Sequence, residues 1–288
     1  MKKFLILICI VALFVIPIFL KKDPSADKVD CVMKLTVNGT EMELEDYVIG
    51  VVAAEMPASY ELEALKAQAI AARTYAMYKL QNGQKELEAS VKHQVFYSQK
   101  EREKKWQASY ANHEQKVQKA VKETVGEIIT YNSKPISAMF HAASNGQTES
   151  AKNYSGNDIA YLQSVPSPEK EEVTQQLPLE PWSQSDVKNM EIIRNETGRV
   201  QQVNLPNQQL TGREVRELFQ LRSTDFTLEV KGGQLVATTQ GYGHGVGMSQ
   251  QGANQFALKG KEAEEILLHY YTGTEVEKLS CEKVNLND

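Results

Sequence analysis

Cysteine is scarce, three residues in 288, too few for a disulfide scaffold or a Cys-rich zinc module. With 17 glycines and 9 prolines, collagen-like and low-complexity chains are excluded. The five histidines (His93, His113, His141, His244, His269) include no pair at short metal-ligand spacing. A basic excess is missing too. Lys and Arg number 32 against 37 Asp and Glu, a net of −5, which argues against nucleic acid as a partner. No Gly-Lys-Ser/Thr follows the glycine-rich stretch at 241–247, and no Gly-x-Ser-x-Gly elbow occurs, so nucleotide-binding loops and the hydrolase elbow are absent. What remains is ordinary globular composition, 41% hydrophobic and 24% charged, in a chain long enough for a sizeable core.

The apolar run Phe4–Leu20 is uncharged and sits between Lys2-Lys3 and Lys21-Lys22. Its length is at the lower limit for a transmembrane helix. No small-x-small cleavage site follows it, and Cys9 lies inside the run rather than at a boundary. We therefore expect an uncleaved anchor over residues 1–22, with its short tail in the cytoplasm and the bulk of the chain outside. A polar linker (23–30), an extracytoplasmic domain (31–281) and a tail (282–288) follow. Beyond residue 22 the chain holds 28 bases and 37 acids, a net of −9, so an anionic substrate must be read by a local basic site. Cys31 and Cys281 bracket the domain; they are either bridged, which such a compartment permits, or two unrelated thiols.

The pattern along the domain predicts α+β. A strand at Val32–Val37 turns at Asn38-Gly39. Helices are expected over Glu45–Met56, Ser59–Leu80 (Ser59 as N-cap) and Glu114–Thr124, with a polar loop region over 84–110. Gly126–Tyr131 and Ile136–Ala143 read as a hairpin, and the Pro- and Glu-rich stretch 166–186 as an exposed excursion. Thr211-Gly-Arg-Glu214 is a capping box, Gly232-Gly233 joins two strands, and short helices follow Ser249 and end at His269-Tyr270-Tyr271.

Three clusters carry chemistry. In Val51-Val-Ala-Ala-Glu55-Met-Pro57, Glu55 shares the apolar face of Val48 and Val51 near a helix C-terminus. Both features raise a carboxyl pKa, the setting of a general acid. Lys66 and Arg73 are seven apart on one face of the next helix. They either bind an anionic substrate or, facing Glu55, pull its pKa down and hold it in a salt bridge. The second cluster is Phe140-His141-Ala-Ala-Ser144-Asn145-Gly146, where His141 and Ser144 either line a cleft or form a satisfied edge. The third is Gly241-Tyr-Gly-His244-Gly-Val-Gly-Met-Ser-Gln250. Its alternating glycines read as an extended segment with one bare face open to a ligand and Tyr242, His244, Val246 and Met248 on the other.

Together, Val-Val-Ala-Ala-Glu55-Met-Pro, Glu63-Ala-Leu-Lys-Ala-Gln-Ala-Ile-Ala-Ala-Arg-Thr-Tyr75, His141-Ala-Ala-Ser-Asn-Gly-Gln-Thr-Glu149, Tyr161-Leu-Gln-Ser-Val165 and Gly243-His-Gly-Val-Gly-Met-Ser-Gln250 with His269-Tyr-Tyr271 resemble the stage II sporulation protein D family of endospore-forming bacteria. The resemblance covers about residues 31–280. It implies a membrane-anchored lytic transglycosylase acting on peptide-free peptidoglycan strands during engulfment, in the membrane that faces the forespore. The partners it implies are an amidase/endopeptidase and a multi-span membrane protein. The family's catalytic glutamate falls on Glu55. Lys66, Gln68, Arg73, His141, Ser144, His244 and Gln250 are the corresponding substrate-binding candidates. Gln147 stands where relatives often carry Arg. Some relatives hold zinc through Cys and His, but here His93 has no cysteine beside it, so neither a metal nor another cofactor is expected. The same domain also occurs in non-catalytic amidase enhancers, which is the alternative reading.

Overall fold

The structure is a computed structural model that describes residues 32–90 and 93–279. The expected anchor, the linker, Cys31, Cys281 and the C-terminal tail lie outside these residues. Among the described residues no helix is long and apolar enough to cross a membrane.

Strands β1 (Lys34–Val37) and β2 (Thr40–Glu43) form a hairpin. Its turn, Asn38-Gly39, has positive φ at both residues, the pairing geometry that matches strand twist. Helix α1 (Leu44–Glu55) carries Glu45 and Asp46 in its first turn, complementing the helix dipole. It ends at Glu55 because Pro57 drives Met56 into extended backbone (φ −125°, ψ 137°). Helix α2 (Leu62–Gln81) buries Ala64, Ala67, Ala69, Ala71, Ala72 and Ala76 completely. Such small residues let neighbours approach from several sides, and α2 is the central helix on which the other elements pack. Its N-cap is Glu61 without a side-chain bond, not the expected Ser59. The Glu61 amide is instead satisfied by Asn254 Oδ1 at 2.8 Å.

The stretch expected to be a loop contains helix α3 (Gln99–Trp106), started by a Ser98–Glu101 capping box. A 3-10 turn leads to α4 (Tyr110–Glu123), which begins four residues before its expected start. Strand β3 (Glu127–Tyr131) pairs with β4 (Lys134–Pro135), but there the expected hairpin stops. Phe140–His141, strand β5, leaves it to pair elsewhere. Helix α5 (Ala151–Ser155) follows, capped by Ser150.

Residues 166–186 are not an exposed excursion. They contain strand β6 (Glu172–Leu177), which joins a three-stranded antiparallel sheet, and Trp182, which is buried edge-on against Phe219 at 4.9 Å. Helix α6 (Gln184–Asn189), strands β7 (Glu191–Arg194), β8 (Val200–Leu205) and β9 (Gln208–Thr211), helix α7 (Gly212–Leu218) and the hairpin β10 (Asp225–Lys231) to β11 (Gln234–Gln240) complete this part. Thr211 and Glu214 form the expected capping box, and Gly232-Gly233 makes the expected turn. Val203, Val215, Phe226, Leu235 and Trp182 form a core of their own.

After the glycine-rich loop, β12 (Met248–Ser249) pairs in parallel with β5. Helix α8 (Gln250–Leu258) starts on a Ser249 cap. Helix α9 (Ala263–Tyr270) and β13 (Glu275–Lys278) return the chain to α2 and β3. The result is α+β, helices with antiparallel sheets and one short parallel pair.

Candidate active site

Glu55 is the last residue of α1, half-buried, where Pro57 ends the helix. A strap formed by residues 93–97 crosses α1 beside it. Tyr97 N–H donates to the Gly50 carbonyl at 3.1 Å. Phe96 lies parallel to Tyr47 at 5.9 Å, and the Tyr47 hydroxyl donates to Gln94 Oε1 at 3.1 Å. The ring fits only because residue 50 is glycine, since a Cβ there would overlap the Phe96 ring. Pinned in this way, the strap directs the Val95 N–H onto Glu55 Oε1 at 2.7 Å. Burial raises the Glu55 pKa above its ordinary value, and the single amide bond from Val95 opposes that only in part. No cation pairs with Glu55 among the described residues. The arrangement holds a carboxyl that keeps its proton to higher pH than usual, on a fixed backbone.

The cations expected near Glu55 are engaged elsewhere. Arg73 is fully buried and grips Glu45, at the opposite end of α1, through two bonds of 2.9 and 2.6 Å. Its third contact is the Glu127 carbonyl at 3.0 Å. It ties α1, α2 and β3 together, so of the two readings offered for it the Arg73–Glu55 salt bridge does not form. Lys66 bridges Glu63 at 2.8 Å and Glu123 at 2.7 Å, which links α2 to α4. Gln68 and Gln250 are buried and meet each other at 3.3 Å across α2 and α8, and Gln68 Nε2 has no further partner. In this arrangement neither Arg73 nor Gln68 presents surface to a substrate.

The second and third clusters are brought together. His141 Nε2 lies 2.9 Å from Ser144 Oγ, and Nδ1 lies 3.2 Å from the Val246 carbonyl. A carbonyl only accepts, so Nδ1 carries the proton and Nε2 accepts from the serine. Burial holds the His141 pKa well below its ordinary value, so the ring is neutral. Ser144 is fully buried. The pair therefore fastens two loops and offers no nucleophile to solvent. His244 accepts the Val246 N–H at 3.0 Å on Nδ1, and burial lowers its pKa to about 4.

The glycine-rich loop is not the expected extended segment. Gly241, Gly243, Gly245 and Gly247 all have positive φ. Tyr242 is exposed while Val246 and Met248 are fully buried, so these side chains do not share one face. At Gly247 any Cβ would collide with the Met139 carbonyl. The bare backbone meets residues 139–144 of the same chain and, at Gly245, the Arg199 side chain.

Two carboxylates were not among the sequence candidates. Buried Glu169 accepts from Ser144 N at 2.7 Å, from Ser167 Oγ at 2.6 Å and from Ser249 Oγ. Buried Glu149 accepts from Ser150 N, Asn153, Asn195 and Thr197. Glu149 stands inside a quoted motif, but Glu169 follows Ser-Pro in a stretch that looks solvated, and its sequence gives no signal. His93 Nδ1 accepts the Glu88 N–H at 2.8 Å. No group of three or more His, Cys, Asp or Glu side chains is placed to hold a metal ion among the described residues.

Comparison with known proteins gives this geometry a class, that of the sporulation proteins. The family described as Stage II sporulation protein matches residues 35–131, which contain Glu55, its strap and α2. Stage II sporulation protein D of Bacillus amyloliquefaciens and that of Bacillus subtilis (strain 168) are each 39% identical over 254 residues, covering 81% of this chain and 74% of theirs. The chain belongs to the stage II sporulation protein D family. A more distant relative, the amidase enhancer of Bacillus subtilis, is 26% identical over 296 residues, covering 78% of this chain but 39% of its own length.

Proposed function

We propose that this protein is a lytic transglycosylase that cleaves peptidoglycan glycan strands, with Glu55 as its single acid/base. The observation that carries the reading is the carboxyl itself. It is half-buried, its proton affinity is raised by burial, and one fixed backbone amide orients it. Among the described residues, no neighbouring carboxylate contributes to its protonation. In most glycoside hydrolases, retaining or inverting, a second carboxylate takes part. Transglycosylation needs none. Glu55 protonates the glycosidic oxygen as the C1–O bond breaks. The 6-hydroxyl of the same sugar then attacks C1 and returns its proton to Glu55, leaving a 1,6-anhydro end and consuming no water.

The membrane anchor over residues 1–22, an extracytoplasmic location facing the wall, a role in engulfment, and partnership with an amidase/endopeptidase and a multi-span membrane protein belong to the same proposal. The relative named amidase enhancer supports a second reading, a wall-binding modifier that stimulates a partner amidase. Mass spectrometry of purified glycan strands after incubation with the protein separates the two. Anhydro ends support transglycosylation. Reducing ends, which differ by one water, indicate a hydrolase, and unchanged strands favour the modifier.

A further inference from the structure

A cavity of about 280 Å³ opens between α5, the start of β8, α7 and the glycine-rich loop. None of the residues that contact the Glu55 carboxyl lines it. Three guanidinium groups do, those of Arg199, Arg213 and Arg216, together with the rings of Tyr154 and His244. The one acid in the lining is Glu149, and both of its oxygens already accept two hydrogen bonds each.

The three guanidinium groups are not equally paired. Arg199 is buried, lies against Gly245, and leaves Nη1 without a hydrogen-bond partner. Its charge is set against those of Glu149, Asp225 and Glu169. Arg213 is paired with Glu217 at 3.0 Å, and its guanidinium sits 5.5 Å from the Tyr154 ring centre. Arg216 is half-buried and donates through Nε to the Leu221 carbonyl at 3.2 Å. No carboxylate forms an ion pair with it among the described residues. His244 is neutral at physiological pH, its pKa lowered first by burial and then by Arg216, so it adds no second charge. Arg216 is thus the guanidinium of this wall that no carboxylate meets at salt-bridge distance among the described residues, and burial lowers its pKa.

We propose that this cavity binds a single carboxylate carried on a sugar-sized ring, gripped by Arg216 and backed by the Tyr154 ring. A phosphomonoester brings a charge of about −1.5 to −2, more than the one guanidinium of Arg216 balances, whereas a carboxylate brings one and matches the planar fork of arginine. The volume is at the small end of ligand pockets and suits one monosaccharide. The choice of a sugar as the carrier rests on the glycan reading above; the choice of a carboxylate rests on the cavity alone.

The test is an NMR chemical-shift titration of the full chain in detergent with N-acetylmuramic acid, N-acetylglucosamine and inorganic phosphate. The first two differ by a lactyl carboxylate. We expect N-acetylmuramic acid to bind at least about tenfold more tightly than N-acetylglucosamine, a factor that one charge-assisted hydrogen bond supplies. Arg216→Met should remove that preference. Arg216→Lys, which keeps the charge and disturbs the fold less, should retain part of it. Equal binding of the two sugars, a preference unchanged in both Arg216 variants, or tighter binding of phosphate than of N-acetylmuramic acid overturns the proposal. Glu55→Gln should leave the preference intact. A carboxylate preference in a protein that leaves glycan strands uncut would therefore sink the enzymatic reading while this one stands.

Discussion

Glu55 holds its proton to higher pH than an ordinary carboxyl, and this has consequences for rate and for stability. Glu55→Gln keeps the shape and the Val95 contact but cannot donate the proton. Cleavage of glycan strands should fall by about 10²–10⁴-fold with the fold retained, as read by mass spectrometry and circular dichroism. The wild-type rate should decline on the alkaline side as pH rises through the raised pKa. The stability effect has the matching sign. A carboxyl whose folded pKa lies above its unfolded value contributes fully below the ordinary value of 4.5, and that contribution is lost as pH rises through the folded pKa. Thermal melts should thus show Glu55→Gln gaining on wild type from about pH 4 to neutral. No such gain would mean that burial does not govern this carboxyl. For Arg73 the expectation is structural. Glu45→Gln leaves a fully buried guanidinium with half its grip. Breaking such a pair costs ~3–5 kcal/mol when both partners are buried. Glu45 is 30% exposed, so about 2 kcal/mol is expected after screening. Denaturant melts measure that loss, and glycan discrimination per folded molecule should not change.

The strap at 93–97 shows how one glycine sets the position of the candidate acid. Gly50→Ala pushes a methyl group into the Phe96 ring, an overpacking that costs about 1–3 kcal/mol. The displaced strap should also withdraw the Val95 amide, so the alkaline limb of the rate profile should move to higher pH. Phe96→Leu in the same chain should recover part of both losses, which chemical denaturation and a pH–rate profile together test. Much of the helical layout was legible. The apolar periodicity of α1, the Thr211–Glu214 capping box and the Ser249 start of α8 are local signals, fixed by side chains within a few residues of each other. The failures came from partners distant in sequence. Residues 136–143 alternate like a hairpin arm, yet Phe140–His141 pairs with Met248–Ser249, more than a hundred residues away. The glycine-rich loop was identified as important from its composition, but its conformation follows from how closely residues 139–144 press on it.

Glu169 joins parts of the chain that sequence keeps far apart. Its carboxylate receives the Ser144 amide, the Ser167 hydroxyl and the Ser249 hydroxyl, and Ser167 in turn meets the Tyr270 hydroxyl at 2.7 Å. Glu169→Ala would leave three buried donors without an acceptor, each costing about 1–3 kcal/mol. A loss of more than about 3 kcal/mol in denaturant melts is expected, and a change under 1 kcal/mol would show that water replaces the carboxylate. The sequence by itself determined the α+β class and the family, and it singled out the candidate acid: Glu55 is marked by its apolar helix face and by the proline that ends the helix. Only the tertiary structure decided which charges answer one another. Arg73 reaches Glu45 and not Glu55, Lys66 reaches Glu63 and Glu123, and Arg216 forms no ion pair among the described residues. Periodicity tells which face of a helix is buried, but a charge pairs with whatever the packing of distant segments brings within about 3 Å, and that distance is not encoded in any one stretch of the chain.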